Sequence, residues 1–151
     1  MNISLDLLKK LREETSAGVS DCRAALEDAG GDFEKAKKLL EARGIEKAAK
    51  KEGKETSQGR VEAYVHNGKV GVLVEIRCET DFVARTDDFK FLAHELALQI
   101  AAMSPKDVVA LLASAYIRNA SLTVGELIKT TIAKVGENIT VARFSRMELG
   151  K

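Results

Sequence analysis

The stretch RVEAYVHNGKVGVLVEI, Arg60 to Ile76, constrains the fold more than any other part of the chain. Apolar and polar residues alternate on both sides of Asn67-Gly68: Val61, Ala63 and Val65 before it, and Val70, Val72, Val74 and Ile76 after it. Period two is the signature of a strand with one buried face, and Asn-Gly supplies the two positive-φ residues of a two-residue hairpin turn. Such a turn pairs Val65 with Val70, Ala63 with Val72 and Val61 with Val74, and all six share one face. Tyr64 then faces Gly71 on the other. The apolar side of the hairpin needs a layer of helices over it.

Helical spacing supplies that layer downstream. Thr86 or Asp87 caps a long helix with Phe89, Leu92, Ala93, Leu96, Ile100 and Met103 on one face. Ser104-Pro105 reads as an N-cap and first helical residue, followed by Val108, Val109, Leu111 and Leu112. Thr123 and Glu126 have capping-box spacing, Leu127, Ile128, Ile132 and Val135 form an inner face, and Gly136 is a stop. Ile139 to Leu149 is a last strand whose alternation falters at Arg143 and Phe144, so a bulge is expected there. The fold class is α+β: a small antiparallel sheet packed with helices, over residues 60–151.

Upstream the period is helical from the start. Ser4 caps a helix carrying Leu7, Leu8 and Leu11, with Ile3 as a staple. TSAGV interrupts it. Ser20 caps a second helix with Cys22, Ala25, Leu26 and Ala29 on one face, closed by Gly30 and Gly31. Asp32 caps a third with Phe33, Ala36, Leu39 and Leu40 inward and Gly44 as its stop. Residues 1–45 thus form a three-helix module. Residues 46–59 are charged and poor in large apolar side chains, and read as a linker whose first half is helical.

Composition narrows the function classes. The 151 residues carry 24 Lys plus Arg against 23 Asp plus Glu, a net charge of +1. Basic and acidic groups number 12 and 12 up to Ser57, leaving 12 and 11 beyond it. Neither part is a polycation, there is no Trp, and aromatic residues are 5%. Nucleic-acid binding relies on many phosphate contacts and aromatic platforms, so no direct nucleic-acid partner is expected. No apolar run is long enough for a membrane span, and MNISLDLLKK reads directly into an amphipathic helix without signal character. Cys22 and Cys78 form no CxxC; two isolated cysteines fit a reducing, cytoplasmic setting in which each is a small buried hydrophobe.

Chemistry is hard to find. There is no GxxxxGK[ST] and no dinucleotide fingerprint. His66 flanks a turn, and His94 and Glu95 are sequence neighbours that do not share a helix face. Asp87 and Asp88 sit where the helix dipole favours acids, which leaves Asp81 without the company a metal site needs. No catalytic residue, metal ligand or cofactor is expected, and the chain reads as an interaction protein. Phe82 is the residue this leaves unexplained: in CETDFVAR, Cys78 to Arg85, a large apolar side chain stands in a polar turn.

That segment carries a resemblance. CETDFVAR resembles the central signature of the bacterial translation elongation factor Ts family. LREETSAGVSDCRAALEDAGGDFEKAKKLLEARGIEKAAKK, Leu11 to Lys51, is similar to the family's amino-terminal ubiquitin-associated-like module. LALQIAAMSP, Leu96 to Pro105, and KVGENITVARF, Lys134 to Phe144, follow in the family's order, so the likeness covers most of the chain.

The resemblance implies an activity without covalent chemistry: guanine nucleotide exchange on elongation factor Tu, in the GDP-bound and nucleotide-free forms. Thr80, Asp81, Phe82 and Val83 map onto the family's partner-binding motif, in which the phenylalanine is a wedge near the Mg²⁺ side of the nucleotide. Leu11, Arg12, Ala17, Gly18, Val19 and Ser20 map onto contacts of the amino-terminal module. Ser16 stands where a Gly is common there, and Val19-Ser20 where two large apolar residues are frequent. Val70-Gly71 fit a second contact of the core, and Gln99 stands where many members carry a histidine. The chain has one core half where long members have two, so a homodimer binding two Tu molecules is implied. Two other readings compete: an interaction module for some other protein, and an enzyme using Cys78.

Overall fold

The computed structural model describes residues 2–15 and 17–151. The chain divides into two compact units, Met1–Lys47 and Ala48–Lys151. The first holds α1 (Leu5–Thr15), α2 (Val19–Asp28) and most of α3 (Phe33–Lys51). Leu11, Cys22, Ala25, Leu26, Ala36 and Leu40 are buried together, the i, i+3, i+4 faces read from the sequence. Two end signals differ from expectation. The N-cap of α2 is Gly18 rather than Ser20, and no side chain caps that end. Gly44 does not stop α3. A glycine inside a helix costs only about 1 kcal/mol, and the strong helix formers of EKAAKK carry the helix on to Lys51. Ala48, at its far end, is buried in the core of the second unit.

The second unit is built on a three-stranded antiparallel sheet in the order β1-β2-β5, from β1 (Gln58–His66), β2 (Val70–Cys78) and β5 (Ile139–Glu148). Between β2 and β5 come α4 (Asp81–Ala84), α5 (Asp87–Met103), α6 (Val108–Ala113), a small hairpin of β3 (Ala115–Tyr116) and β4 (Asn119–Thr123), and α7 (Val124–Val135). Val72, Val74, Ile76 and Cys78 of β2 are buried with Phe89, Leu92, Ala93, Leu96, Ala97 and Ile100 of α5 and Val124, Ile128 and Ile132 of α7. The Thr123–Glu126 capping box forms as read. Ser104 instead ends α5 in the left-handed region, at φ 48°, and Asp107 caps α6 by accepting from the Ala110 N–H at 2.8 Å. A residue before proline is pushed out of the right-handed helical region, which explains the stop. The β3–β4 hairpin and α4 were not foreseen; they are too short to show a period.

The β1–β2 register differs from the predicted one by a single residue. His66 pairs with Val70, Tyr64 with Val72 and Glu62 with Val74. Asn67 and Gly68 do take positive φ, 51° and 66°, and the Lys69 N–H bonds the His66 carbonyl. Lys69 is then left out of the β1–β2 ladder, and its carbonyl accepts from the Leu149 N–H at 2.8 Å instead. Because side chains alternate, one extra loop residue sends the whole of β1 to the other face. Val61, Ala63 and Val65 are exposed, and Tyr64 takes the core side. The bulge in β5 is present: Arg143 pairs with Glu75 and Val141 with Ile76, leaving Ala142 without a partner.

Candidate functional site: a pinned turn with an exposed phenylalanine

β2 delivers the chain to the TDFVA turn at its Cys78 end. Thr80 caps α4, its hydroxyl accepting from the Val83 N–H, and this four-residue helix splits its side chains between two sides. Val83 and Ala84 are buried in the core. Phe82 is 77% exposed, the most exposed phenylalanine in the unit. Its ring meets one cationic neighbour, the Arg85 guanidinium 5.7 Å from the centroid, which is ion-paired to Asp81 at 2.7 Å. Burying a Phe side chain is worth about 1.5–3 kcal/mol, so holding one in water leaves that much free energy available to a surface that covers it.

The turn is fastened to the segment between α7 and β5. Gly136 ends α7 at φ 77° and swings Glu137 beneath Thr80. One Glu137 carboxylate oxygen accepts from the Thr80 N–H at 2.9 Å and the other from its hydroxyl at 2.7 Å. In the opposite sense Glu79 accepts from the Asn138 N–H at 3.0 Å. Asn138 is itself buried and donates to the Lys54 carbonyl at 2.9 Å. The Cys78 thiol donates to the Thr80 carbonyl at 3.1 Å. Burial, then the Glu137 and Glu79 carboxylates, push that thiol up to about 11. A nucleophilic cysteine needs the opposite environment, so the geometry opposes a Cys78 enzyme. Sequence reasoning missed Glu79, Glu137 and Asn138. The signal was the co-occurrence of CETDFVAR and KVGENITVARF, two segments that meet in space.

The other predicted residues lie elsewhere. Val70 and Gly71 are at the hairpin end of β2, eight and seven residues from Cys78, or about 23–26 Å along a strand. Gln99 lies toward that end as well: the carbonyl of Ala101, two residues on, takes the Arg146 guanidinium, and Arg146 pairs with Val72. Its side chain is fully buried. Its amide donates to the Ala115 carbonyl at 2.8 Å and to the Ser114 hydroxyl at 3.2 Å, and its oxygen accepts from the Ile117 N–H at 2.9 Å. Gln99 therefore ties the β3–β4 hairpin to α5. One turn earlier Glu95, also buried, accepts from the Tyr116 hydroxyl at 2.6 Å and pairs with Arg118 at 2.7 Å. Burial, reinforced by Glu95, pushes the Tyr116 hydroxyl up to about 12.

In the first unit Leu11 is a core residue, with no surface to offer, while Arg12, Gly18, Val19 and Ser20 are exposed and Ala17 is half-buried. Ser16 lies outside the described residues. His66 and His94 are exposed. Among the described residues no group of three or more His, Cys, Asp or Glu could hold a metal ion, and no helix is long and apolar enough to cross a membrane.

A three-helix unit, an α+β unit and a protruding Phe on a TDFVA turn are the features to set beside known proteins. A family model described as Elongation factor TS matches residues 79–151. Over its whole length the chain is 44% identical to the elongation factor Ts of Coprothermobacter proteolyticus and 42% to that of Fervidobacterium nodosum, each covered in full. It is 44% identical to that of Thermotoga petrophila, with 98% of that chain covered. The chain belongs to the elongation factor Ts family, a family of translation elongation factors. The first two alignments span 197 positions against 151 residues here, so those relatives carry 46 positions without a counterpart in this chain (197 − 151).

Proposed function

We propose that the chain is a guanine nucleotide exchange factor for elongation factor Tu, acting in the cytoplasm during translation elongation and making or breaking no covalent bond. The observation that carries this reading is Phe82, 77% exposed on a turn whose other side is packed into the core and fastened by hydrogen bonds. Exchange requires a coupling free energy between two ligands of Tu, and coupling is reciprocal: what loosens GDP must itself bind the GDP-free state better. A wedge that is covered only when the Mg²⁺ and phosphate region has opened provides that difference. About 1.4 kcal/mol is tenfold, so burial of this one ring supplies between tenfold and hundredfold of differential affinity.

Asp81 and Arg85 sit at the rim and tune encounter and register. Thr80 and Val83 hold the wedge from beneath. Val70-Gly71 form a second contact at the far end of the sheet, with Gln99 contributing through the hairpin it secures. Arg12 and Ala17 to Ser20 add a contact from the amino-terminal unit.

The proposed assembly is a homodimer with two Tu molecules. Its support is the outer face of the sheet, where Val61, Val65, Leu73 and Met147 are each more than half exposed. Beside them Glu75 lies between Arg77 and Arg143, both donating to its carboxylate, which holds it below the usual carboxylate range. An apolar patch flanked by both signs of charge is self-complementary, as a two-fold contact requires. The reading is tested by following fluorescent GDP leaving purified Tu. A release rate that climbs with added protein and then saturates is expected. Release at the spontaneous rate at every concentration overturns it.

A further inference from the structure

The carboxylate of Glu137 has a place in the TDFVA turn that its own element does not explain. It stands between α7 and β5, 57 residues from Thr80, and spends both oxygens on that one residue. The bonds are charge-assisted, the stronger kind. The Thr80 hydroxyl they orient is also the cap for Val83, and its carbonyl is held by the Cys78 thiol. Thr80 is thus fixed at its N–H, side chain and carbonyl. Phe82, two residues on, makes no comparable bond of its own: its ring meets solvent and the Arg85 side chain, itself exposed. A helix of four residues is too short to hold its own direction. Val83 and Ala84 pack the far side of α4 into the core, and Thr80, held by Glu137, fixes its first turn, from which the Phe82 ring projects.

We infer that Glu137 is a positioning residue for Phe82: by fixing Thr80 at two points it orients α4 so that the ring projects toward its partner. The inference rests on the wedge reading proposed above. The ion pair of Asp81 with Arg85 does not substitute for it, because both members belong to the turn and move with it. Glu79 and Asn138 align the two segments, with side-chain hydrogen bonds to each other's segment and to Lys54 rather than to Thr80 or α4.

A double-mutant cycle tests the inference in the full-length protein. Glu137→Ala removes both acceptors and is expected to slow Tu-bound GDP release about tenfold. In a Phe82→Ala background it is expected to slow release no further, because there is no ring left to position. Glu137→Gln keeps a carbonyl for the Thr80 N–H and is expected to recover part of the loss. A separate readout needs no Tu: amide hydrogen exchange at Thr80 is expected to quicken about tenfold in Glu137→Ala, while the α5 and α7 amides keep their protection. Equal slowing in both backgrounds, or unchanged Thr80 exchange, overturns the inference. If Phe82→Ala alone leaves GDP release unchanged, the wedge reading fails instead, and the inference falls with it even where Thr80 exchange quickens.

Discussion

Two short turns each present an apolar side chain to solvent, Phe82 in TDFVA and Val19 in AGVS, and they are built in different ways. The first is fastened to a segment 57 residues away through Glu137. Among the described residues, the second is held by near neighbours: the Ala17 N–H reaches the Thr15 hydroxyl at 3.3 Å, the Cys22 thiol reaches the Ala17 carbonyl at 3.7 Å, and Gly18 offers no side chain to cap α2. A turn held by distant groups keeps one geometry. A turn held locally adapts to what it meets. On the proposed reading, the difference fits a division of labour in which TDFVA delivers a ring to a defined place and AGVS adds contact area.

The fastening of the first turn is the feature most open to attack. Asn138 reaches the Lys54 carbonyl, so a truncation starting at Ala48 keeps an anchor that one starting at Gln58 loses. The shorter product also lacks Ala48, a buried residue. It should be less stable by about 1–3 kcal/mol, the cost of a buried polar group left without its partner. Urea melts of the two products check this. Equal midpoints would show that residues 48–57 are a tether and nothing more. Gly136→Ala acts on the same fastening through the backbone. At φ 77° a side chain meets its own backbone rather than a neighbour, and about 1–2 kcal/mol of stability should go. GDP release should slow with it, because Glu137 follows directly.

Alkaline pH offers a milder probe of the α+β unit. Cys78 is raised from 9.0 to about 11 and Tyr116 from 10.0 to about 12. In both cases the folded state holds the proton more tightly than the unfolded one. The stability they contribute is whole below pH 9 and drains as pH rises through the folded values. Melting temperature should therefore fall between about pH 9 and 11 for the thiol, and Cys78→Ala should move the onset upward toward the tyrosine's range. The smallest effect belongs to the second turn. Gly18→Ser supplies the missing cap in an extended backbone that any residue adopts, and a Cβ there meets only the Asp21 carboxylate at 3.6 Å. A gain of a few tenths of a kcal/mol is expected, with exchange lowered less than about twofold because this turn adds only contact area. A large loss of exchange would mean that AGVS, too, needs one geometry.

Much of this architecture is legible from periodicity. The faces of α1 to α3, α7 and α5 as far as Ile100 follow their spacing, and so does the Thr123–Glu126 box, because each is decided within a turn or two of chain; Met103, read as inward, is exposed in the last turn of α5, where the helix stops before Pro105. The hairpin shows the limit. Val61, Ala63 and Val65 alternate as a core face should, yet they face outward, since register is set by one extra loop residue and by β5 pairing with the other side of β2. An apolar outer face and a core face look alike in sequence. Gln99 fell to the same kind of ambiguity: at the edge of an apolar stripe, a polar side chain reads equally as a contact or as an internal tie, and the β3–β4 hairpin it ties is too short to foresee. Phe82 stood out because a polar turn has no use for it. Its support did not, because Glu137 is 57 residues from the residue it holds, and no local pattern spans that gap.

The central claim is that Phe82 is held out for a partner and not for this chain's own core. Phe82→Ala, measured for thermal melting and for GDP release from Tu on the same preparation, tests it most directly. With the ring 77% exposed, melting should shift little, while release at a given concentration should slow by tenfold or more. A loss of about 3–5 kcal/mol in stability, the cost of emptying a core phenylalanine site, with release per folded molecule unchanged, would contradict the account.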